Sequence, residues 1–307
     1  MLVLRVFSFL GFVLSLALLG MGAVCLLDPH EARGYLIDIF TAPLLTVAVA
    51  ASFVLIQLRQ RASALMSLMA AGLLGVSFWS QISPPHPPTE TKATPVRLMF
   101  ANLYAKNETP ERLLEWVRAE NPDVVAMVEA GPLAEATLAA KLRQTYPHVA
   151  RRYDTFVFSR YPLTRPRARP IGYSLLTVEV AAPAGAFHLA VAHLTRPWPF
   201  SAPGDQPRQL ERLGADLRDE QPERTVLVGD FNTTPSASGL MDISRHLHLF
   251  AAPAPVGTWP AVLPAPLRIG IDNGFAGKDL TLRNRKSGPY YGSDHRPIVF
   301  DIYPAKS

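Results

Sequence analysis

The segment from Thr225 to Pro235 joins a buried-strand pattern to polar side chains that can do chemistry. Its β-branched run ends at Gly229 and is followed by Asp230 and Asn232. Side chains alternate along a strand, so we predict that Asp230 and Asn232 point to the same face. A carboxylate beside an amide can bind a water, a metal ion or a phosphate oxygen. The simpler interpretation is a turn that ends the strand, because Asp and Asn both favour turns.

The same pairing of an apolar run with a polar residue recurs along the second part of the chain. Polar residues close or precede predicted strands at Asn102, Glu129, His193, Asp272, Asp294 and His295. Ligands of mixed α/β sheets bind beyond the strand ends, so these side chains can converge on one pocket. Oxygen ligands with few sulfurs suit a hard cation such as Mg²⁺, Mn²⁺ or Ca²⁺.

Each of these residues also has a purely structural interpretation. Asn102 and Asp272 can be turn residues, and His193 can be a hydrogen-bonded histidine at a strand end. The Asp294–His295 pair can form a turn. Glu129 fits such an interpretation least, because a carboxylate at the end of a buried strand is costly unless it is paired or binds a metal. The joint order of the residues therefore favours function.

In this order, the residues resemble the signature of the endonuclease/exonuclease/phosphatase superfamily. The matching motifs are Gly229-Asp230-Phe231-Asn232 and Ser293-Asp294-His295, together with the single residues above. The resemblance extends from Val96 to about Tyr303. It implies an α/β (α+β) fold, a four-layered αββα sandwich of two mixed sheets with helices outside, and an active site at one edge.

The resemblance also implies a divalent-metal-dependent hydrolase of phosphoric ester bonds, in which an activated water attacks phosphorus in line. Mg²⁺ or Mn²⁺ would be bound by Glu129, Asn102 and Asp294. Two positions depart from the family pattern: Val128 stands where many relatives carry Gln, and Asn273 stands where they carry an aromatic residue or His. Neither departure falls on a predicted catalytic residue.

The catalytic roles implied by the resemblance fall to a second group of residues. Asp230 would orient or deprotonate the attacking water, and Asn232 would hold water or phosphate. His295 would contact the phosphate while Asp272 keeps its imidazole oriented and charged, since a neighbouring carboxylate raises the pKa of a histidine. His193 would be a second phosphate donor.

The substrate class follows less directly from the sequence. We expect a phosphoester, either a nucleic acid or a phospholipid headgroup, and no obligate protein partner. The alternatives are a lipid-headgroup phosphodiesterase or phosphatase, and a catalytically silent binding domain on the same fold. The basic segment Arg165–Arg169 can face DNA or anionic lipid. Trp198 and Trp259 lie in Pro-rich loops, where they can line the substrate mouth or anchor the loops.

The elements that must position these residues are preceded by a strongly apolar region. The chain of 307 residues is 49% hydrophobic, and three of its stretches lack charged residues: Val6–Leu27, Ile39–Leu58 and Ala62–Ile82. Each is close to the ~20 residues that cross a bilayer, so we predict three transmembrane helices. The alternative for the first is a cleaved signal peptide, although the apolar core of such a peptide is shorter, at ~7–15 residues.

Positive charges beside the predicted spans indicate the orientation. Arg5, Arg59 and Arg61 are predicted to lie in the cytoplasm, whereas the segment Asp28–Arg33 carries more acids than bases. Three crossings then place the rest of the chain outside. We therefore expect a multi-pass protein of the inner (cytoplasmic) membrane with a periplasmic or otherwise extracytoplasmic catalytic domain. The single cysteine, Cys25, lies in a predicted span, so the outer domain has no disulfide.

The chain divides into three parts by composition. We predict a membrane domain at residues 1–82, a proline-rich linker at 83–95 that holds the next domain off the membrane, and a hydrolase domain at 96–307. Within the hydrolase domain, the patterns predict helices at Pro110–Glu120, Gly131–Tyr146 and Gln206–Arg218. They also predict a loop at Leu163–Pro170 and strands at Val96–Leu103, Asp123–Val128, Phe156–Ser159, Leu175–Ala181, Ala186–Leu194, Val226–Val228, Arg268–Asp272, Leu280–Arg283 and Pro297–Ile302.

Overall fold

The computed structural model describes residues 2–27, 32–87, 93–169, 173–197, 199–202 and 204–305. Its α-helices are α1 Leu2–Leu27, α2 Ala32–Ile39, α3 Thr41–Gln57, α4 Arg61–Ile82, α5 Leu113–Glu120, α6 Pro132–Ala134, α7 Ala140–Leu142, α8 Asp205–Arg218 and α9 Ser238–Leu247. The π-helical residues Glu135–Ala139 join α6 to α7, so the helix predicted at Gly131–Tyr146 is present as an irregular and slightly shorter one.

The strands form two mixed sheets of six strands each. They are β1 Val96–Asn102, β2 Val124–Val128, β3 His148–Arg152, β4 Thr155–Ser159, β5 Leu163–Arg169, β6 Ser174–Val180, β7 Phe187–His193, β8 Thr225–Asp230, β9 Phe250–Ala251, β10 Asp272–Ala276, β11 Leu280–Ser287 and β12 Ile298–Pro304. Sheet 1 has the order β11-β12-β1-β2-β4-β3, and sheet 2 has the order β5-β6-β7-β8-β10-β9. In each sheet the two central strands, β1 with β2 and β7 with β8, run parallel, and their neighbours run antiparallel.

The central strands are buried on both faces. On β1, Leu98 packs between the two sheets, whereas Met99 packs under α5 and the irregular helix. On β8, Val226 faces sheet 1, whereas Leu227 packs under α8 and α9. Strands covered on both faces are near-continuous apolar runs, which is why these strands are visible in the sequence. The layers are helix, sheet, sheet and helix, so the predicted αββα sandwich of two mixed sheets is confirmed.

Two of the N-terminal helices are long and apolar enough to cross a membrane, over Arg5–Leu27 and Arg61–Ile82. Fewer than a third of the residues in each are buried, unlike those of a core helix in a soluble domain. The predicted middle span, Ile39–Leu58, is shorter than expected because the chain turns at Phe40. The resulting α3 has 17 residues. Such a helix is about 25 Å long, compared with about 30 Å for the hydrocarbon core. Length and composition therefore support two of the three predicted spans.

The long N-terminal helices form a bundle in which α4 packs against both α1 and α3. Ser67 donates its hydroxyl hydrogen to Ser15 Oγ at 3.0 Å, and Ser77 donates to the backbone oxygen of Cys25 at 3.1 Å. From the first pair to the second, the residue numbers rise along both helices, so α1 and α4 run parallel. The side chain of Leu55, near the end of α3, lies beside Gly11 near the start of α1. The helix α3 therefore runs in the opposite direction.

The N-terminal helices contact the sandwich directly. Gln81, at the end of α4, donates from Nε2 to Ser236 Oγ, and its backbone oxygen accepts from the Ala254 N–H, both at 2.6 Å. Thr46 in α3 donates to the backbone oxygen of Pro266 at 2.7 Å. The predicted linker therefore does not separate the sandwich from the N-terminal helices, and the distance of the sandwich from a membrane stays a prediction. A proline-rich composition indicates a stiff segment, but it does not determine whether the flanking parts touch.

Within the segment predicted as a loop at Leu163–Pro170, residues Leu163–Arg169 instead form strand β5, at the edge of sheet 2. Pro170 lies outside the described residues. The register shifts between Thr164 and Arg167, and Pro166 falls inside the shift. Proline is tolerated at edges and bulges because its missing N–H faces no partner strand there. The Arg/Pro composition therefore concealed an edge strand.

Candidate active site

The carboxyl ends of the two parallel strand pairs meet at one edge of the sandwich. There β1 ends at Asn102, β7 ends at His193 and β8 ends at Asp230. The register of β7 and β8 pairs His193 with Asp230. This pairing requires Gly229, because a Cβ at that position would lie 2.0 Å from the backbone oxygen of Ala192. The glycine of the Gly-Asp-x-Asn motif thus allows the strands that carry the site to approach each other.

Asp272 reaches the same edge from the opposite direction. It is the first residue of β10, which runs antiparallel to β8 and pairs Asp272 with Asp230. The predicted strand at Arg268–Asp272 is therefore wrong. An antiparallel partner brings its amino end to the edge where β8 brings its carboxyl end, so Asp272 begins a strand there and does not end one. Asp294 and His295 similarly precede β12, which runs antiparallel to β1.

Asp230 lies at the centre of the hydrogen-bond network, and it is only 1% exposed. Its Oδ2 accepts from Asn102 Nδ2, and its Oδ1 accepts from the backbone N–H of Asn232, both at 2.9 Å. Burial raises the pKa of Asp230, although the imidazoles of His295 and His193 oppose this rise. A carboxylate with a raised pKa is a better proton acceptor near neutral pH.

Two histidines flank Asp230. His295 Nδ1 lies 2.8 Å from Asp272 Oδ2, and His295 Nε2 lies 3.6 Å from Asp230 Oδ2. His193 Nε2 lies 3.4 Å from Glu129 Oε1 and 3.9 Å from Asp230 Oδ2. Burial alone would lower the pKa of His295, but the carboxylates of Asp272 and Asp230 outweigh it and raise this pKa to about 10. His295 therefore carries a positive charge at neutral pH.

Glu129 and Asn102 share a hydrogen bond beside this network. Asn102 Nδ2 donates to Glu129 Oε1 at 3.0 Å, while Asn102 Oδ1 accepts from the backbone N–H of Tyr104 at 2.9 Å. Asn102 thus points its amide nitrogen at the carboxylates and turns its oxygen towards the backbone. Glu129 has a φ angle of 52°. A non-glycine residue in this region costs about 1–3 kcal/mol, and such residues cluster at functional sites.

Asn232 lies beyond the end of β8, so the strand alternation predicted to align it with Asp230 does not apply. Its φ angle is 48°, and its Nδ2 donates to the backbone oxygen of Leu194 at 2.9 Å. Gln206, in the first turn of α8, donates from Nε2 to the backbone oxygens of Phe231 and Asn232, both at 3.1 Å. A left-handed turn held by α8 therefore presents Asn232 to the same cavity as Asp230.

Asp294 has one carboxylate oxygen engaged and the other without a donor. Trp259 Nε1 donates to Asp294 Oδ2 at 3.1 Å. Asp294 Oδ1 is buried, accepts no hydrogen bond from the described residues, and lies 3.9 Å from His295 Nε2. Asp272 Oδ1 is also buried without a hydrogen bond from that part of the chain. A buried carboxylate oxygen without a donor is costly, so Asp294 Oδ1 fits the binding of a cation nearby. The carboxylate of Asp272 is already paired with His295.

Acidic and imidazole groups are positioned for a metal site. Their ligand atoms lie within 4.8 Å of one another in two overlapping groups, namely Glu129 with His193 and Asp230, and Asp230 with Asp272 and His295. Several carboxylates in one pocket repel each other, and a hard divalent cation with oxygen ligands relieves that repulsion. The residues present therefore fit a divalent cation.

Other residues support the site without a local signal that marks them in the sequence. The hydroxyl groups of Tyr291 and Ser293 both donate to the backbone oxygen of Asn102, the latter at 2.7 Å. Burial raises the pKa of Tyr291, so its phenol keeps the proton that it donates. Arg285, on β11, donates from Nη2 to the backbone oxygen of Asp272 at 3.2 Å. These contacts join distant segments, which local patterns do not reveal.

A cavity of about 160 Å³ opens over the polar residues. Its polar side includes Glu129, Asp230, Asn232 and His295. Its other side is largely apolar and includes Leu36, Ile39, Phe40, Phe200, Trp259 and Ile271. Trp259 thus lines the mouth of the cavity and also donates a hydrogen bond to Asp294. The two predicted roles of Trp259, at the mouth and as a loop anchor, are therefore compatible. Trp198 lies outside the described residues.

The basic segment Arg165–Arg169 does not contribute to this cavity. Arg165 pairs with Glu179 at 3.6 Å, and Arg167 pairs with Glu220 at 3.0 Å. Its strand, β5, is separated from β8 by β6 and β7. These arginines therefore lie on the flank of sheet 2, away from the strand ends that form the site.

Residues 99–295 match the Endonuclease/Exonuclease/phosphatase family, from strand β1 to His295. The chain belongs to this family. Members of the family are phosphoester hydrolases, and the resemblance inferred from the ordered residues is confirmed. No curated protein matches this family member significantly.

Solved structures share the fold of this family member. The endonuclease/exonuclease/phosphatase from Beutenbergia cavernae DSM 12333 is 23% identical with a TM-score of 0.54, and the match covers 69% of this chain and 72% of that one. Sphingomyelinase C from Streptomyces griseocarneus is 16% identical with a TM-score of 0.50, covering 68% and 99%. D. rerio TDP2 complexed with single strand DNA product is 17% identical with a TM-score of 0.52, covering 68% and 99%. At these identities the likeness establishes the sandwich fold alone.

Proposed function

We propose that this chain is a membrane-anchored hydrolase of phosphoric esters that depends on a divalent cation, Mg²⁺ or Mn²⁺. The observation that carries the proposal is the buried carboxylate of Asp230, held by Asn102 and flanked by His193 and His295 in the floor of a cavity. In-line attack on phosphorus requires an oriented water, a proton acceptor and positive charge near the phosphoryl oxygens. This set of side chains supplies all three.

Asp230 is the proton acceptor in the proposed reaction. It takes a proton from the attacking water while the water oxygen bonds to phosphorus. The ester bond from phosphorus to the leaving oxygen breaks, the leaving oxygen takes a proton from solvent water, and Asp230 returns its proton to solvent. The products are an alcohol and a phosphate with one ester fewer. Asn102 and Asn232 hold the carboxylate with hydrogen bonds of 2.9 Å, so Asp230 needs little reorganisation as it reacts.

His295 and His193 stabilise the negative charge that develops on the phosphoryl oxygens. His295 is charged because Asp272 accepts its Nδ1–H at 2.8 Å. Its Nε2–H is then available towards the phosphate. His193 adds a second donor from the end of β7, and Asn232 orients water or phosphate at the cavity wall. Positioned donors of this kind are worth several kcal/mol in the transition state.

The divalent cation would be held by Glu129 and Asp294. When bound, it would neutralise phosphate charge and lower the pKa of water as a Lewis acid. The donor-free Asp294 Oδ1 supports this assignment. We assign Asn102 to orienting Glu129 through its amide nitrogen, because its oxygen accepts the N–H of Tyr104.

We also infer that the membrane domain, residues 1–82, crosses the bilayer three times. The parallel arrangement of α1 and α4 supports this, because a chain that crosses twice in one direction must return in between, and α3 runs in the return direction. Arg5, Arg59 and Arg61 would lie in the cytoplasm, and the hydrolase domain, residues 96–307, would face the periplasm.

Alkaline phosphatase fused after Lys92 tests this orientation. The fusion should be active, because that enzyme requires export. An inactive fusion, together with a fluorescent cytoplasmic reporter at the same point, would overturn the proposed topology.

The hydrolase proposal is tested on the purified full-length chain with bis(p-nitrophenyl) phosphate, a small soluble phosphodiester. Hydrolysis should occur with Mg²⁺, vanish in EDTA and return with Mg²⁺ or Mn²⁺. His295→Ala should abolish it. His246→Ala is the matched control, because His246 is an exposed histidine of α9 outside the cavity.

Two outcomes would contradict the hydrolase proposal. Full activity in the chelator would exclude the cation requirement. Binding of the cation without hydrolysis of any ester would identify a catalytically silent binding domain.

A further inference from the structure

The cavity over Asp230 has a polar side and an apolar side, and the N-terminal helices form part of the apolar side. Leu36 and Ile39 lie at the end of α2, and Phe40 forms the turn before α3. Ile39 is buried in the same cluster as Phe231, which follows β8. The corner between α2 and α3 is therefore packed into the sandwich and bounds the active site.

Two loops that contribute lining residues to the cavity carry exposed apolar side chains. Phe200 lines the cavity and is 69% exposed. Val262 and Leu263 are 74% and 38% exposed, on the loop that begins at the cavity residue Trp259. We call Phe40, Phe200, Val262 and Leu263 the apolar rim. Grouped exposed apolar side chains of this kind mark a surface that contacts a protein or a membrane.

Two arginines hold the loop that carries half of the apolar rim. Arg268 Nε donates to the backbone oxygen of Leu263 at 2.7 Å, and Arg296 Nε donates to that of Ala261 at 2.9 Å. Apolar side chains beside basic ones are typical of surfaces that bind at a lipid interface. There the apolar groups enter the acyl boundary and the bases meet the anionic headgroups.

The rim lies level with the first turns of α3. Thr46 Oγ1 donates to the backbone oxygen of Pro266, on the same loop as Val262, at 2.7 Å. Thr46 follows the start of α3 at Thr41 by five residues. This spacing is about 7.5 Å along a helix, and interfacial segments bury their apolar side about 5–10 Å into the lipid boundary. With α3 in the bilayer, the rim therefore reaches the leaflet surface.

From this geometry we propose that the substrate is a phosphodiester of a bilayer lipid, bound while its chains remain in the leaflet. The inference rests on the proposed phosphoester hydrolase function. The headgroup phosphate lies over Asp230 and His295, and the apolar part of the lipid contacts Leu36, Phe40 and Phe200. Water adds to phosphorus and one ester bond breaks, so one product stays in the leaflet and the other leaves. The helix corner supplies the apolar path that such a substrate requires.

A nucleic acid fits this mouth less well than a lipid. Proteins that follow a nucleic-acid backbone line the path with lysines, arginines and stacking aromatics. Here Arg196 is the one arginine or lysine among the described residues that line the cavity, and none of the exposed side chains of the apolar rim is basic. Arg165 and Arg167 of β5 pair with acidic residues on the flank of sheet 2. Cleavage of DNA in preference to lipid would therefore contradict the proposal.

The test uses the full-length chain in vesicles of phosphatidylethanolamine and phosphatidylglycerol with Mg²⁺. Release of water-soluble headgroup product is measured beside hydrolysis of bis(p-nitrophenyl) phosphate and of single-stranded DNA. We expect the vesicle lipids to be hydrolysed faster than DNA. Hydrolysis of the soluble ester and DNA without hydrolysis of the lipids would overturn this inference and leave the proposed function standing.

Variants of the rim connect lipid hydrolysis to this surface. Val262→Asp should lower the ratio of lipid to soluble-ester hydrolysis about tenfold or more, because burial of an aliphatic side chain favours association by about that factor. Leu133→Asp is the matched control, because Leu133 is an exposed leucine of α6 outside the cavity. Equal ratios in the two variants would contradict the role of the rim.

A second readout does not depend on activity. Because Cys25 is the single cysteine, a C25S background carrying Val262→Cys can be labelled with an environment-sensitive fluorophore. Its emission in lipid nanodiscs should be blue-shifted and quenched by lipid-borne quenchers, unlike the emission from Leu133→Cys. Identical emission at the two positions would show that the apolar rim does not enter the bilayer, and it would overturn the inference. A blue shift without hydrolysis of any ester would instead refute the proposed function.

Discussion

Replacing Asp230 by Asn tests whether this residue activates the attacking water. The substitution keeps the shape of the side chain and removes the proton acceptor. Loss of a general base costs about 10²–10⁴-fold in rate, so kcat should fall by this factor. The KM for an anionic ester should stay the same or fall slightly, because the substitution removes a negative charge that repels the phosphate.

The structure predicts a second, separate effect of Asp230→Asn on stability. Both carboxylate oxygens accept N–H groups at 2.9 Å, from Asn102 and from the backbone of Asn232. An amide has one oxygen, so one of these two donors would face an NH₂ group. An unmade hydrogen bond in a buried site costs about 1–3 kcal/mol, which lowers the Tm of a domain of this size by several degrees.

A double variant separates the two effects. In D230N/N102D the amide at position 230 can donate to a carboxylate at position 102, so the pairing is restored with its direction reversed. The Tm should recover only in part, because a carboxylate at position 102 no longer donates to Glu129 Oε1 and repels it. The kcat should stay low because the carboxylate has left the end of β8. The measurements are hydrolysis of a soluble phosphodiester with Mg²⁺ and thermal unfolding. Near wild-type kcat in folded Asp230→Asn would refute the reasoning, and the motif would then be a structural turn.

Three further substitutions test the cation, the charged histidine and the strand pairing. Glu129→Gln should raise the Mg²⁺ concentration for half-maximal activity by about tenfold or more, as measured by metal titration. Asp272→Asn should lower the alkaline limit of kcat from about pH 10 towards 6.5, the raised and ordinary pKa of His295, in a pH–rate profile. A histidine whose pKa is raised by folding stabilises the fold at pH values below its ordinary pKa, and this stabilisation disappears as the pH rises through the raised pKa. The difference in Tm between the wild type and Asp272→Asn should therefore shrink above about pH 10. Gly229→Ala should destabilise the protein by about 1–3 kcal/mol or more in thermal unfolding, because its Cβ would meet the Ala192 oxygen.

The sandwich and the composition of the site are largely predictable from the sequence. Strands buried on both faces are continuous apolar runs, so β1, β2, β7 and β8 stand out. Asn102, His193 and Asp230 end three of them, and Glu129 follows the fourth. Parallel neighbours bring their carboxyl ends to one edge, so these four residues must meet. Their catalytic and metal-binding roles stay predictions.

What the sequence conceals is strand direction and contact between distant segments. Asp272 lies at the right edge, but it begins β10 and does not end the predicted strand Arg268–Asp272, because the strand itself, Asp272–Ala276, has too few apolar residues to stand out. Asn232 reaches the cavity from a left-handed turn, which alternation cannot describe. Ile39 has the pattern of a membrane residue, yet it is buried against the sandwich, because lipid and protein cores favour the same side chains.

The position of Ile39 bears on how the enzyme can be produced. A truncated protein that begins at Val96 would uncover the cluster around Phe231 and Ile271, which Ile39 helps to close. It would also lose the contacts of Gln81. Such a fragment would keep every proposed catalytic side chain and still expose an apolar surface, so we expect it to aggregate on expression. We therefore expect the stable form of the protein to include the helices, because a cut at the proline-rich segment separates parts that pack against each other.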